Sequence, residues 1–194
     1  MDNDGSYLET IDEQGIGFRV TFVWHRDRFA HTVGIVDNER LSPVLASLEG
    51  TDDDDWPLSP PLQNLTIEDR RDGYRVALLV GMAGTSHWSV SIEPAAAADE
   101  MGFIVDVACR VKTQPRNLGS VYRAMAVPAQ VDSTRAIVGG LVGVDAQRTE
   151  SVLEIAESDI VVRPSHVASE SPITVRWQYR IFRVFPDKSG TDSQ

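Results

Sequence analysis

Four histidines, one cysteine and a run of four aspartates are the residues of this 194-residue chain whose types could carry metal or nucleophilic chemistry. His25, His31, His87 and His166 form no pair at a usual metal-ligand spacing. Cys109 stands alone, which excludes an internal disulfide and any cysteine-cluster metal site. Asp52–Asp55 lacks the alternating ligands, central glycine and closing glutamate of a calcium loop and reads as a solvated turn. No metal and no cofactor is expected.

The stretch Gly81-Met82-Ala83-Gly84-Thr85-Ser86-His87-Trp88-Ser89 invites two catalytic readings and fails both. A phosphate cradle needs a Lys-Ser/Thr pair at its end and a helix after it. A nucleophile elbow needs a glycine where Trp88 stands. What remains is a hairpin turn whose glycines supply positive φ.

His87 alternates with Trp88 and shares its parity with Ser89, Ser91 and Glu93. If strands over 86–93, 103–112 and 173–185 are neighbours, their polar faces bring together His87, Ser89, Glu93, Asp106, Arg110, Arg176 and Arg180. Arginine forks in such a patch suit a small anionic ligand, because a planar guanidinium meets a carboxylate or phosphate with two hydrogen bonds. The plainer reading makes these groups cross-strand surface pairs. His31 shares the parity of Phe29, Val33 and Ile35 and reads as a hydrogen-bonded core histidine; Cys109, in register with Phe103 and Val107, reads as a buried, inert thiol.

The elements that must position these residues follow from a dominant period of two, the alternation of a strand with one buried face. Residues 16–24 (Phe18, Val20, Phe22, Trp24 on one face) and 29–37 form a hairpin around His25-Arg26-Asp27-Arg28. Residues 74–81 are apolar at nearly every position, as in a central strand covered on both faces. The last strand, 173–185, turns Val175, Trp177, Tyr179 and Ile181 inward, and Phe182 and Val184 then reverse the parity, which suggests a bulge. A strand this long could also pair across an edge with a second copy, leaving a homo-oligomer open. Ser42-Pro43 suits the start of a short helical turn reaching Leu48.

The expected fold is therefore all-β: a single-domain antiparallel β-sandwich of about ten strands with at most one or two short helices, or alternatively a closed β-barrel. Residues 1–15 are expected as an acidic disordered tail, 16–185 as the domain, and 186–194 as a disordered C-terminal tail. Within the domain, 51–63 is a long acidic and proline-rich loop, since proline has no ladder donor. Trp56 in that loop either folds back over the core or stands out as a contact for a partner.

The net charge of −11 is concentrated in appendages: −5 in residues 1–15, −4 in Asp52–Asp55 and −1 in residues 186–194. A near-neutral body with acidic extensions has no basic footprint for nucleic acid and repels anionic lipid. No signal-peptide pattern opens the sequence and no apolar run approaches the roughly 20 residues of a membrane helix, so the expected setting is cytoplasmic. The functional expectation is a non-catalytic binding module for a protein or a small anionic ligand. The alternative is a small-molecule-binding barrel or hydrolase using the face around His87, Asp106 and Arg110.

Overall fold

The computed structural model describes residues 6–51, 53–71, 73–95, 101–146, 151–167 and 171–185. The described residues form fifteen strands and no helix. In chain order these are β1 (Tyr7–Ile11), β2 (Ile16–His25), β3 (Arg28–Asp37), β4 (Arg40–Ser47) and β5 (Asn64–Asp69). There follow β6 (Arg75–Ala83), β7 (Ser86–Pro94), β8 (Gly102–Val111), β9 (Ser120–Ala124) and β10 (Pro128–Gln130). The last five are β11 (Arg135–Val138), β12 (Val142–Asp145), β13 (Ser151–Ala156), β14 (Asp159–Pro164) and β15 (Ile173–Arg183).

The strands build two antiparallel sheets packed face to face. One has seven strands in the order β1-β2-β3-β4-β9-β14-β13; the other has eight, β10-β11-β12-β15-β8-β7-β6-β5. Neither closes on itself, so the fold is a β-sandwich and not a barrel. The alternation read from the sequence is the alternation of burial: Trp88, Val90 and Ile92 of β7, Phe103, Val105, Val107, Cys109 and Val111 of β8, and Val175, Trp177, Tyr179 and Ile181 of β15 all turn into the space between the sheets. The ring of Phe18 from one sheet stacks on that of Phe103 from the other at 6.2 Å between centroids. Cys109 is fully buried among them, and burial pushes its thiol up to about 12.

The structure corrects several expectations. Residues 7–11, assigned to the acidic tail, pair with Gly17–Thr21 as β1, because Leu8 supplies a fully buried side chain to the core; residues 1–5 and 186–194 lie outside the described residues. Ser42-Pro43 lies in β4, not in a helical turn. There Val44 is the extra residue of a bulge opposite Val33 and Gly34, and β9 pairs only with Leu45–Ser47, so no partner strand requires the N–H that Pro43 lacks. Trp24, expected inside, is half exposed near the β2–β3 hairpin turn, and its ring packs edge-on against Phe29 at 5.0 Å.

β15 pairs without interruption from Ile173 to Phe182, so the expected bulge is absent. Phe182 instead remains on the outer face. It sits between Gly102 and Gly143, and its ring lies so close to Gly143 that an added Cβ would come 2.3 Å from Cζ. The guanidinium groups of Arg135 and Arg180 cover the ring at 5.1 and 5.5 Å. β15 lies between β8, which pairs with it from Ile173 to Phe182, and β12, which pairs only with Arg180–Arg183. The apolar β6, read as a central strand covered on both faces, has only β5 beyond it and presents Leu78, Val80 and Met82 to solvent.

Candidate functional site

The three strands that must be adjacent for a common polar face are adjacent: β7 pairs with β8 and β8 with β15. Their registers fix the outer face of the eight-stranded sheet row by row. Met82 lies opposite His87, His87 opposite Arg110 and Arg110 opposite Thr174. The next row runs Val80, Ser89, Ala108, Arg176, and the one after it Leu78, Ser91, Asp106, Gln178. Glu93, Ile104, Arg180 and Asp145 form the last.

All seven sequence-selected residues, His87, Ser89, Glu93, Asp106, Arg110, Arg176 and Arg180, thus share one face, and most are engaged there with neighbours. Arg70 pairs with the Glu93 carboxylate at 2.9 Å, and Arg180 Nη2 donates to the buried Asp145 carboxylate at 2.9 Å. The Gln178 amide donates to Asp106 at 3.3 Å, the Arg110 guanidinium donates to Thr174 Oγ1 at 3.3 Å, and His87 Nε2 lies 3.4 Å from Lys112 Nζ. The seven side chains do not converge on a cavity. An open depression of about 450 Å³ lies at one corner of the face, lined by Gln63, Asn64, Val80, Met82, His87 and Trp88, and of the seven only His87 reaches it. Among the described residues no cluster of three metal-ligating side chains occurs, and no helix is long and apolar enough to cross a membrane.

Trp56 folds back. Its ring meets that of Trp88 edge to face at 5.8 Å, and the loop continues so tightly over β6 that a Cβ on Gly81 would stand 1.7 Å from the Pro61 carbonyl oxygen. The loop is further fixed where Ser59 Oγ exchanges hydrogen bonds with the N–H (2.9 Å) and C=O (3.2 Å) of Val121 on the opposite sheet.

A second polar constellation, which parity alone did not reveal, lies between the sheets. His31 Nε2 is 2.9 Å from the Tyr122 hydroxyl, which is 2.7 Å from that of Tyr179. The Trp177 indole donates to Ser120 Oγ at 3.1 Å. Ser47 accepts the His31 N–H at 2.8 Å and donates to the Glu49 carboxylate. A small internal cavity of about 10 Å³, room for about one water, is lined in part by His31, Glu49, Ser59, Ser120, Tyr122 and Tyr179.

Burial dominates the electrostatics of this cluster. It raises the Glu49 carboxyl to about 7, against the opposing pull of Ser47 and Arg28, and lowers the His31 imidazole to about 4. Burial also pushes Tyr179 up to about 12 and Tyr122 well above its ordinary value. Arg28, itself almost fully buried, pairs with Asp27 and donates to the backbone carbonyls of Glu49 and Thr51 at 3.1 Å each. The sequence expects His31 as a hydrogen-bonded core histidine; its ring is hydrogen-bonded in this cluster, and the residue as a whole is half-buried. Its partners were not legible: Glu49 follows Leu48 with no periodic signal, and Tyr122 and Tyr179 meet it only across the sandwich.

Comparison of the chain with protein-family models, with curated proteins and with solved structures finds no match.

Proposed function

We propose that this chain is a non-catalytic interaction module that binds through the outer face of its eight-stranded sheet. One observation carries the reading: Leu78, Val80 and Met82 form an unbroken apolar stripe on β6, 39%, 53% and 47% exposed. Beside it lies a low strip of Ser89, Ser91 and Ala108. A face with apolar side chains at one side, small ones in the middle and charges around them has the anatomy of a contact surface. The hydrolase alternative draws less support, since His87 faces Lys112 and not a hydroxyl, and the polar candidates are spread over a flat surface where catalysis needs them to converge. A protein partner in the cytoplasm is part of the same reading, and the buried, unpaired Cys109 is compatible with a reducing compartment.

The test uses an anilinonaphthalene sulfonate dye as an apolar probe of the native protein, with amide chemical shifts to locate it. Shift changes centred on residues 78–82 and 87–91, lost in Val80→Glu, support the reading. Dye binding that leaves those amides unmoved overturns it.

A further inference from the structure

We infer that the occupant of this face is a second copy of the same chain, packed sheet on sheet about a two-fold axis; the inference rests on the interaction-face reading above. A two-fold axis in the plane of such a contact can run along the strands or across them. Along the strands at the middle of the face, between β7 and β8, it would lay β6 of one copy over β15 of the other and press Leu78 and Val80 against Gln178 and Arg176. Across the strands, midway between the Val80 row and the Leu78 row, it keeps each strand over its own copy. Val80 then faces Leu78 and Ser89 faces Ser91 of the second molecule, so apolar meets apolar and small meets small, while Met82 is carried to the end of the stripe, where Val76 is already buried by its own chain.

The charges follow the same operation. Arg176 occupies the Val80 row and Asp106 the Leu78 row one strand away, so the axis brings each Arg176 beside the Asp106 of the other copy, twice per dimer. Arg110 and His87 are carried towards the row that holds Glu93 and Arg180, which are already paired with Arg70 and Asp145. The face is self-complementary in Leu78 and Val80 of its stripe and in the Arg176–Asp106 pair.

Its size sets the strength. Five strands about 4.8 Å apart and about six residues of 3.4 Å rise cover roughly 500 Å² per copy. Two such faces bury about 1,000 Å², the lower limit for a specific interface, so the dimer is weak and reversible.

Sedimentation equilibrium from about 10 µM to about 1 mM reads the association directly. The weight-average mass of the wild-type chain is expected to climb towards twice the monomer, and Val80→Glu to hold it at the monomer. Asp106→Arg and Arg176→Glu should each weaken association alone by at least tenfold, by placing like charges together. Mixed with one another they should recover it, because the mixture restores both opposite-charge contacts. Recovery also shows that each variant is folded. A wild-type mass that stays monomeric throughout, association indifferent to Val80→Glu, or a mixture no better than its components overturns the proposal. A monomeric chain whose face still takes the dye would remove the second copy and leave the interaction face standing, whereas a dye that misses the face removes the reading beneath it.

Discussion

The side-chain amide of Gln63 hydrogen bonds to both backbone groups of Met82: its Nε2 donates to the carbonyl at 3.1 Å, and its Oε1 accepts the N–H at 3.0 Å. The amide thereby stands in for a strand residue. β5 begins only at Asn64, opposite Val80, so the last residues of β6 would otherwise be an unpaired edge beside the apolar stripe. Gln63→Ala is expected to cost about 1–2 kcal/mol, two modest hydrogen bonds, in urea unfolding. Gln63→Glu, which keeps the shape and loses the donor, should cost a comparable amount; a stability equal to wild type in both would show that the mimicry contributes nothing.

Gly81, one residue earlier, admits no side chain because the Pro61 carbonyl oxygen occupies the place of its Cβ at 1.7 Å. Gly81→Ala must push the loop off β6, and backbone displacement of this kind costs about 1–3 kcal/mol. Because Trp56 leans on Trp88 from the same loop, the tryptophan fluorescence should shift together with the loss of stability. An unchanged spectrum with unchanged stability would mean that the loop does not rest on this strand.

The pH dependence of stability isolates the buried pair between the sheets. Glu49, about 7 in the folded chain against 4.5 in the unfolded, stabilises fully below 4.5, and that contribution falls as pH rises to 7. His31, about 4 folded against 6.5 unfolded, does the reverse: its contribution is whole above 6.5 and falls as pH drops to 4. Each slope is about 1.4 kcal/mol per pH unit, so between pH 4.5 and 6.5 the two oppose each other. Removing one should expose the other. In Glu49→Gln, stability should rise with pH across this window relative to wild type; in His31→Gln it should fall. Parallel profiles for all three chains would sink the assignment.

Much of this architecture is legible in a period of two. The parity of Trp88, Cys109 and Trp177 assigns the inner faces of β7, β8 and β15, and with the strands adjacent it assigns the outer face as well. What parity cannot give is the position of a strand within its sheet. Leu78 and Val80 look like one face of a doubly covered strand, and Met82 like part of the turn after it, because local sequence records hydrophobicity and not what lies opposite; only the strand order shows that nothing among the described residues covers them. Pro43 was misread for a related reason, since helix-start signals and a bulged strand share the same residues. The Glu49 cluster depends on contacts as distant in sequence as His31 to Tyr122, and no local pattern encodes them.

The chain from His31 through Tyr122 to Tyr179 should show an ordered response to removal of its hydroxyls. Nδ1 of His31 is shielded and has no hydrogen-bond partner among the described residues, so Tyr122 is the one partner its ring has there. Tyr122→Phe would leave both ring nitrogens unsatisfied, a loss of about 1–3 kcal/mol. Tyr179→Phe leaves the His31 contact intact and should cost less, about 1 kcal/mol. Because the two hydroxyls share a bond of 2.7 Å, the double variant should lose less than the two singles together, as coupled neighbours do. Strict additivity, or a larger loss from Tyr179→Phe than from Tyr122→Phe, would show that the histidine does not depend on this chain for its place in the core.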